Sequence, residues 1–165
     1  PLDTRPDSIG WHGNALLVRR GIEVGFAEPV RLPTLEPRGA ICAELVAGGQ
    51  RLRVVGMHLD LSGLRRRHQL RAVLDHLADY PDPCPSVLMG DCNEWTRRGG
   101  AWRELPGDWS LLEPGRSFPT RQPVAQLDRI MLSPELRCVE AGVHHSPLSA
   151  RASDHLPVFA RITTA

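Results

Sequence analysis

No lysine occurs in the 165 residues; all 20 basic side chains are arginine. Nineteen acidic residues oppose them and the net charge is +1, so no global positive field draws the chain to nucleic acid or to an anionic membrane. The all-arginine usage fits a GC-rich coding sequence first. Phosphate recognition by forked guanidinium groups is the alternative for a few members. A C-x-x-C pair is also missing from the four cysteines, Cys42, Cys84, Cys92 and Cys138. That argues against a zinc ribbon or a thioredoxin-type site. The cysteines are expected to be small buried apolar groups in a reducing compartment, which points to the cytoplasm. No apolar run reaches the length of about 18 residues that a membrane helix needs, and no signal peptide is visible. G-x-S-x-G, P-loop, dinucleotide-glycine and H-E-x-x-H patterns are all absent. Their absence removes the α/β-hydrolase elbow, the nucleotide cradles and the common zinc-protease helix.

What is present fits one domain able to bury its own core. Residues 1–12 look irregular. "NALLVRR" begins a strand-like run at Asn14, and "IEVGFAEPVRLP" holds a short edge strand among its prolines. "RGAICAELVA" and "RLRVVGMHL" flank Gly48-Gly49, which predicts a hairpin. From Leu64 the apolar residues take helical spacing, with Ser62 as a possible cap and Pro81 as a stop. "SVLMG" is a central strand, apolar on both faces. "AWREL" is a short helical piece and "PGDWSLLEPGRSFPTRQP" a long loop of the kind that carries function. "QLDRIMLS", "CVEAGVHH" and "LPVFARI" complete the strands. Strands dominate, with one clear helix between two of them, which predicts an α/β layered sandwich.

Apolar runs repeatedly end in a chemically capable residue: "VVGMHL" in His58, "VLMGDCN" in Asp91 and Asn93. "QLDRIML" carries Asp128 at a strand start, and "SDH" puts Asp154 and His155 just before the last strand. Each alone has an ordinary structural reading. Asp91 and Asn93 could form an Asx-turn, His58 could be an interior histidine, Asp128 could pair with Arg129, and "SDH" could cap a turn. Together they are the inventory of metal-assisted phosphoryl or acyl transfer. Side chains two apart on an extended strand share a side. Asp91 and Asn93 are therefore expected to face one phosphate together, with Cys92 turned into packing.

"GNALL" (13–17), "MHLDLSGLRRRHQL" (57–70), "GDCNEW" (90–95), "SFP" (117–119), "LDRIMLS" (127–133) and "SDHLPV" (153–158) follow one another in this order. In this the chain resembles the endonuclease/exonuclease/phosphatase superfamily, and among it the small bacterial members. The resemblance implies a DNase I-like fold, two packed, mainly antiparallel sheets flanked by helices. It also implies a divalent cation, Mg²⁺ with Mn²⁺ as a substitute. By the same resemblance, Asp91 would orient or deprotonate the attacking water and share in metal binding, and Asn93 would hold the nucleophile and phosphate oxygens. His58 and His155 would stabilise phosphoryl charge or the leaving group, Asp128 would fix the tautomer of His155, and Asp154 would lie near the metal.

The glutamate that serves as principal metal ligand in the superfamily has no match upstream of Gly13, where the acidic residues are Asp3 and Asp7. The chain is thus expected to be the C-terminal two-thirds of such a domain over residues 1–165. Alone it is expected to bind Mg²⁺ weakly and to leave part of its central sheet without strand neighbours. Arg97 and Arg98, leaving the Asp91 loop, are expected beside the substrate phosphate, although a solvated loop is the plainer reading; so is a solvated helix face for Arg65, Arg66 and Arg67. Trp95, Trp102 and Trp109 could stack on bases or form pocket wall. The expected activity is metal-dependent hydrolysis of a phosphoester in a nucleic acid, a phospholipid head group or a small molecule, by a monomer without a membrane span. The alternatives are a non-catalytic relative that keeps the fold to bind a partner and a phosphate- or nucleic-acid-binding module.

Overall fold

A computed structural model of the chain describes residues 13–33 and 39–165; the stretch 1–12, expected to be irregular, lies outside them. Six strands form one sheet in the order β1-β2-β3-β4-β6-β5, and β7 and β8 form a second, two-stranded sheet. The strands are β1 (Glu23–Val30), β2 (Gly39–Ala47), β3 (Gln50–His58), β4 (Ser86–Asp91), β5 (Ser110–Leu112), β6 (Asp128–Leu132), β7 (Leu136–Val143) and β8 (Val158–Thr164). Helix α1 (Gly63–Ala78) joins β3 to β4, and a short α2 (Ser149–Ala152) precedes β8.

The β2–β3 hairpin turns through Gly48 and Gly49, both at positive φ, which the right-handed twist of a two-residue hairpin favours. β3 and β4 are parallel, a pairing that requires a crossover connection, and α1 supplies it. The other pairs are antiparallel. Residues that alternate along β4 and β6 separate the core into two layers. Leu88 and Met131 join Val55, Met57, Leu70 and Val73 beneath α1. Val87, Ile130 and Leu132 join Leu136 and the inner side of β8, including Val158 and Ile162. The apolar character of "SVLMG" on both faces follows from this position between two layers.

The structure departs from the sequence reading in four places. "NALLVRR" pairs with no strand among the described residues. Asn14 instead donates to the Gly39 carbonyl, and Leu17 stands almost fully exposed. The long loop contains β5, whose three residues are too short to show a period. Ser62 sits at the α1 N-cap without a side-chain bond; Asp60 Oδ1 accepts the Ser62 N–H at 2.8 Å in its place. Cys42 and Cys92 are buried as expected, but Cys138 is exposed on β7. No helix among the described residues is long and apolar enough to cross a membrane.

Candidate active site

The ends of three adjacent strands carry the candidate residues in one row. His58 closes β3, Asp91 closes β4 and Asp128 opens β6. The register pairs His58 with Asp91 and Asp91 with Asp128. Asp91 Oδ2 lies 3.3 Å from His58 Nε2 and 3.8 Å from His155 Nε2. One carboxylate oxygen thus sits between two imidazoles, at the point where β4 leaves the core.

His155 reaches this row from the loop before β8. Its Nδ1 lies 2.8 Å from Asp128 Oδ2, so Nδ1–H donates to that carboxylate and Nε2 is left facing Asp91. Ser117 Oγ donates to the same Asp128 oxygen. Phe118 stacks its ring at 4.7 Å on the imidazole. Thr120 N–H donates to the Asp154 carbonyl and Leu156 N–H to the Ser117 carbonyl, both at 2.8 Å. "SFP" and "SDH" are therefore strapped to each other, and His155 is held on three sides. Burial by itself would depress the pKa of His155. The hydrogen bond to Asp128 and the charges of Asp128, Asp91 and Asp154 outweigh it, and the net shift is upward.

Asn93 is not the strand residue expected. β4 ends at Asp91, and Asn93 adopts φ +49°, a left-handed conformation that Asn tolerates better than most residues. Asp91 Oδ1 accepts the Asn93 N–H at 2.9 Å, so the Asx-turn is formed and Asp91 keeps Oδ2 for the site. Asn93 Nδ2 donates to the Leu59 carbonyl at 2.9 Å. This ties the loop after β4 to the loop after β3. Cys92 does turn into packing, within the core beneath α1.

The sequence reading passed over Glu94, which is 2% exposed. Its carboxylate accepts the Thr96 and Ala101 N–H groups at 3.0 Å, and Arg66 approaches it at 3.4 Å from α1. Arg66 is buried and Arg67 pairs with Glu104, so two of the three arginines expected on a solvated helix face are structural. Gly100, at φ +54°, leaves room for that carboxylate: a Cβ there would stand 2.3 Å from Glu94 Oε2. The available signal was the acid placed directly after Asn93 with an unusual arginine run upstream.

Arg97 and Arg98 are exposed in the loop that follows. Asp154 is exposed beside His155, its Oδ1 accepting from Ser153 Oγ at 3.4 Å. Among the described residues, Asp91, Asp128 and His155 place ligand atoms within 4.8 Å of one another, and Asp154 stands outside this group. A hard divalent cation takes oxygen ligands, so the two carboxylates fit it. The imidazole of His155 fits it less well, because Nδ1 is committed to Asp128.

The family model for the endonuclease/exonuclease/phosphatase family matches residues 2–155. Protein YbhP of Escherichia coli, itself uncharacterized, is 28% identical over 163 residues, covering 93% of this chain and 63% of that protein. The chain thus spans less than two-thirds of this curated relative. The structure of zebrafish (D. rerio) TDP2 complexed with a single-strand DNA product is similar at a TM-score of 0.69, with 20% identity, covering 87% of this chain and 69% of that one. A mannosyl-6-phosphatase of Bacteroides thetaiotaomicron is similar at 0.70, with 16% identity, over 87% of this chain and 67% of that one. At such identities the two structures establish a shared fold, the layered α/β sandwich of the DNase I-like type.

Proposed function

The chain belongs to the endonuclease/exonuclease/phosphatase family, and from that membership we propose that it hydrolyses a phosphoester by attack of an activated water with a divalent cation, Mg²⁺ or Mn²⁺, in the site. The observation that carries the reading is the position of Asp91 Oδ2 between the imidazoles of His58 and His155. A phosphoester is anionic and repels hydroxide, so the site must hold the water's proton and neutralise charge that grows on the phosphoryl oxygens.

Asp91 and Asp128 would hold the cation, with Asp154 a further acid at the rim. When bound, the cation would neutralise phosphoryl charge and orient the water. Asp91 Oδ2, the oxygen left open by the Asn93 N–H on Oδ1, would orient the attacking water beside the cation. His155, whose pKa Asp128 helps to raise, would offer Nε2–H in its protonated form to a phosphoryl oxygen or to the leaving group. His58 adds a second imidazole on the other side of Asp91. Asn93 contributes by binding the two loops together, and its amide oxygen is the part left to meet substrate. Arg97 and Arg98 supply guanidinium groups at the exit of the Asp91 loop.

The fold does not choose the substrate: one relative in structure is complexed with a DNA product and another is a sugar-phosphate phosphatase. The test is a phosphoester panel with Mg²⁺, Mn²⁺ or EDTA, run on the whole chain. Hydrolysis should need the metal. It should fall about 10²–10⁴-fold in Asp91→Ala and in His155→Ala, the size of a lost proton-transfer group. Equal turnover by wild type and both variants would reject the assignments.

A further inference from the structure

Arg129 follows Asp128 on β6 and therefore points to the opposite face of the sheet. Its side chain is 1% exposed. The guanidinium lies 5.4 Å from the Trp102 ring, and Nε donates to the Gln126 carbonyl at 3.1 Å. Among the described residues, Nη1 has no hydrogen-bond partner. The nearest carboxylate, Glu113, is half exposed and stands 3.9 Å away, beyond hydrogen-bond reach. Gln126 Nε2 is a second buried donor without a partner among the described residues. Both residues line one pocket of about 130 Å³, whose other walls include Arg97, Arg116 and Trp95. A buried guanidinium with an open donor is costly unless something compensates its charge. Three cations and two orphaned N–H donors converge on a space that would hold about four waters at roughly 30 Å³ each. The acid nearest the Arg129 guanidinium, Glu113, does not close on it.

We propose that the pocket walled by Arg97, Arg116, Gln126 and Arg129 is a subsite for a second, non-reacting phosphate of the substrate. It is a different place from the reacting centre, because Asp128 and Arg129 project from opposite faces of β6. It is also close to that centre. Ala125 in its wall bridges to Phe118, which stacks on His155, and Arg97 follows Asn93 by four residues. Trp95, 65% exposed in the same wall, offers an indole face to a base. The substrate class this favours is a single-stranded oligonucleotide with more than one phosphate. The inference takes the identity of its anion from the phosphoesterase reading, but occupancy of the pocket does not require turnover.

The test titrates inorganic phosphate and then short DNA strands into the whole chain without divalent metal, following tryptophan fluorescence. Wild type should bind phosphate. Arg116→Ala and Gln126→Leu, both at the pocket wall, should bind it about tenfold more weakly, and Arg161→Ala on β8 should not differ from wild type. Wild type should prefer a trinucleotide with two phosphates over a dinucleotide with one by about tenfold, and Arg116→Ala should lose that preference. Arg129→Gln should behave like Arg116→Ala if it folds; the exposed arginine carries the test if it does not. Unchanged phosphate affinity in Arg116→Ala and Gln126→Leu overturns the subsite. Tighter binding of a bisphosphorylated lipid head group than of the trinucleotide overturns the nucleotide assignment. Intact phosphate binding with no hydrolysis under any metal leaves the subsite standing and removes the enzymatic reading instead.

Discussion

Asp91 and Asp128 stand opposite each other across the β4–β6 pair, and the imidazole of His155 lies between their carboxylates, at 3.8 Å and 2.8 Å. Two like charges this close raise each other's free energy. A protonated imidazole between them turns that repulsion into attraction, which ties the charge of His155 to the presence of both acids.

His155 should therefore keep its proton to a pH above the ordinary imidazole value of 6.5. The sign for stability follows: a raised folded pKa contributes fully below the unfolded value and is lost as pH rises through the folded one. NMR titration of the ring should show the upward shift in the metal-free protein. Asp128→Asn should move it back down, because it removes both the charged acceptor and the nearest negative charge. A His155 titration indistinguishable between the two proteins would count against the coupling.

Glu94 should make the chain acid-sensitive in a defined direction. Burial opposes its ionisation, but the Ala101 and Thr96 donors and Arg66 prevail and hold its carboxyl below the usual value of 4.5. Its contribution is present above that value and is lost as pH falls through the lower, folded one. Glu94→Ala should cost about 3–5 kcal/mol near neutral pH, the usual result of leaving one partner of a buried pair. Glu94→Gln should flatten the acid limb of the unfolding curve. Tryptophan fluorescence would report it, since Trp102 Nε1–H donates to the Thr96 carbonyl at 2.8 Å.

Gly90→Ala should be among the most damaging single substitutions. Gly90 has φ +142°, and a Cβ there would stand 1.9 Å from the Met57 carbonyl oxygen on β3. The neighbour is backbone and cannot swing aside. Strain and overpacking together predict a loss of roughly 3 kcal/mol or more in urea unfolding. A loss below about 1 kcal/mol would mean the strands separate easily at this point.

Asn93 allows backbone and side chain to be separated. Asn93→Gly keeps the left-handed conformation and removes the amide; Asn93→Ala removes the amide and adds strain of about 1–2 kcal/mol. The glycine variant should be the more stable of the two by that margin in denaturant unfolding, while both lose the bond to the Leu59 carbonyl. Equal stabilities would show that the turn relaxes.

Much of this molecule was legible before its structure. The Gly48–Gly49 hairpin, the helix from residue 63 and the strands at "SVLMG" and "LDRIML" each carried a period and punctuation of their own. The convergence of His58, Asp91, Asp128 and His155 was readable because each stood where an apolar run met a loop. The illegible parts have a shared physical cause. β5 has three residues and is a strand only because β6 offers it partners. The left-handed turn at Asn93 depends on Asp91 capping its N–H. Glu94 resembles a surface acid until Arg66 and Gly100 enclose it.

The close approach at Gly90 also acts as a ruler. Side chains alternate along a strand, so sliding β4 by one residue against β3 would present Gly90 or Cys92 where Asp91 now stands and turn the carboxylate to the wrong layer. Only a residue without a Cβ can lie against the Met57 carbonyl, so either one-residue shift would force Met89 or Asp91 into that contact. One missing methyl group thereby fixes which of the strand's residues arrives between the two histidines.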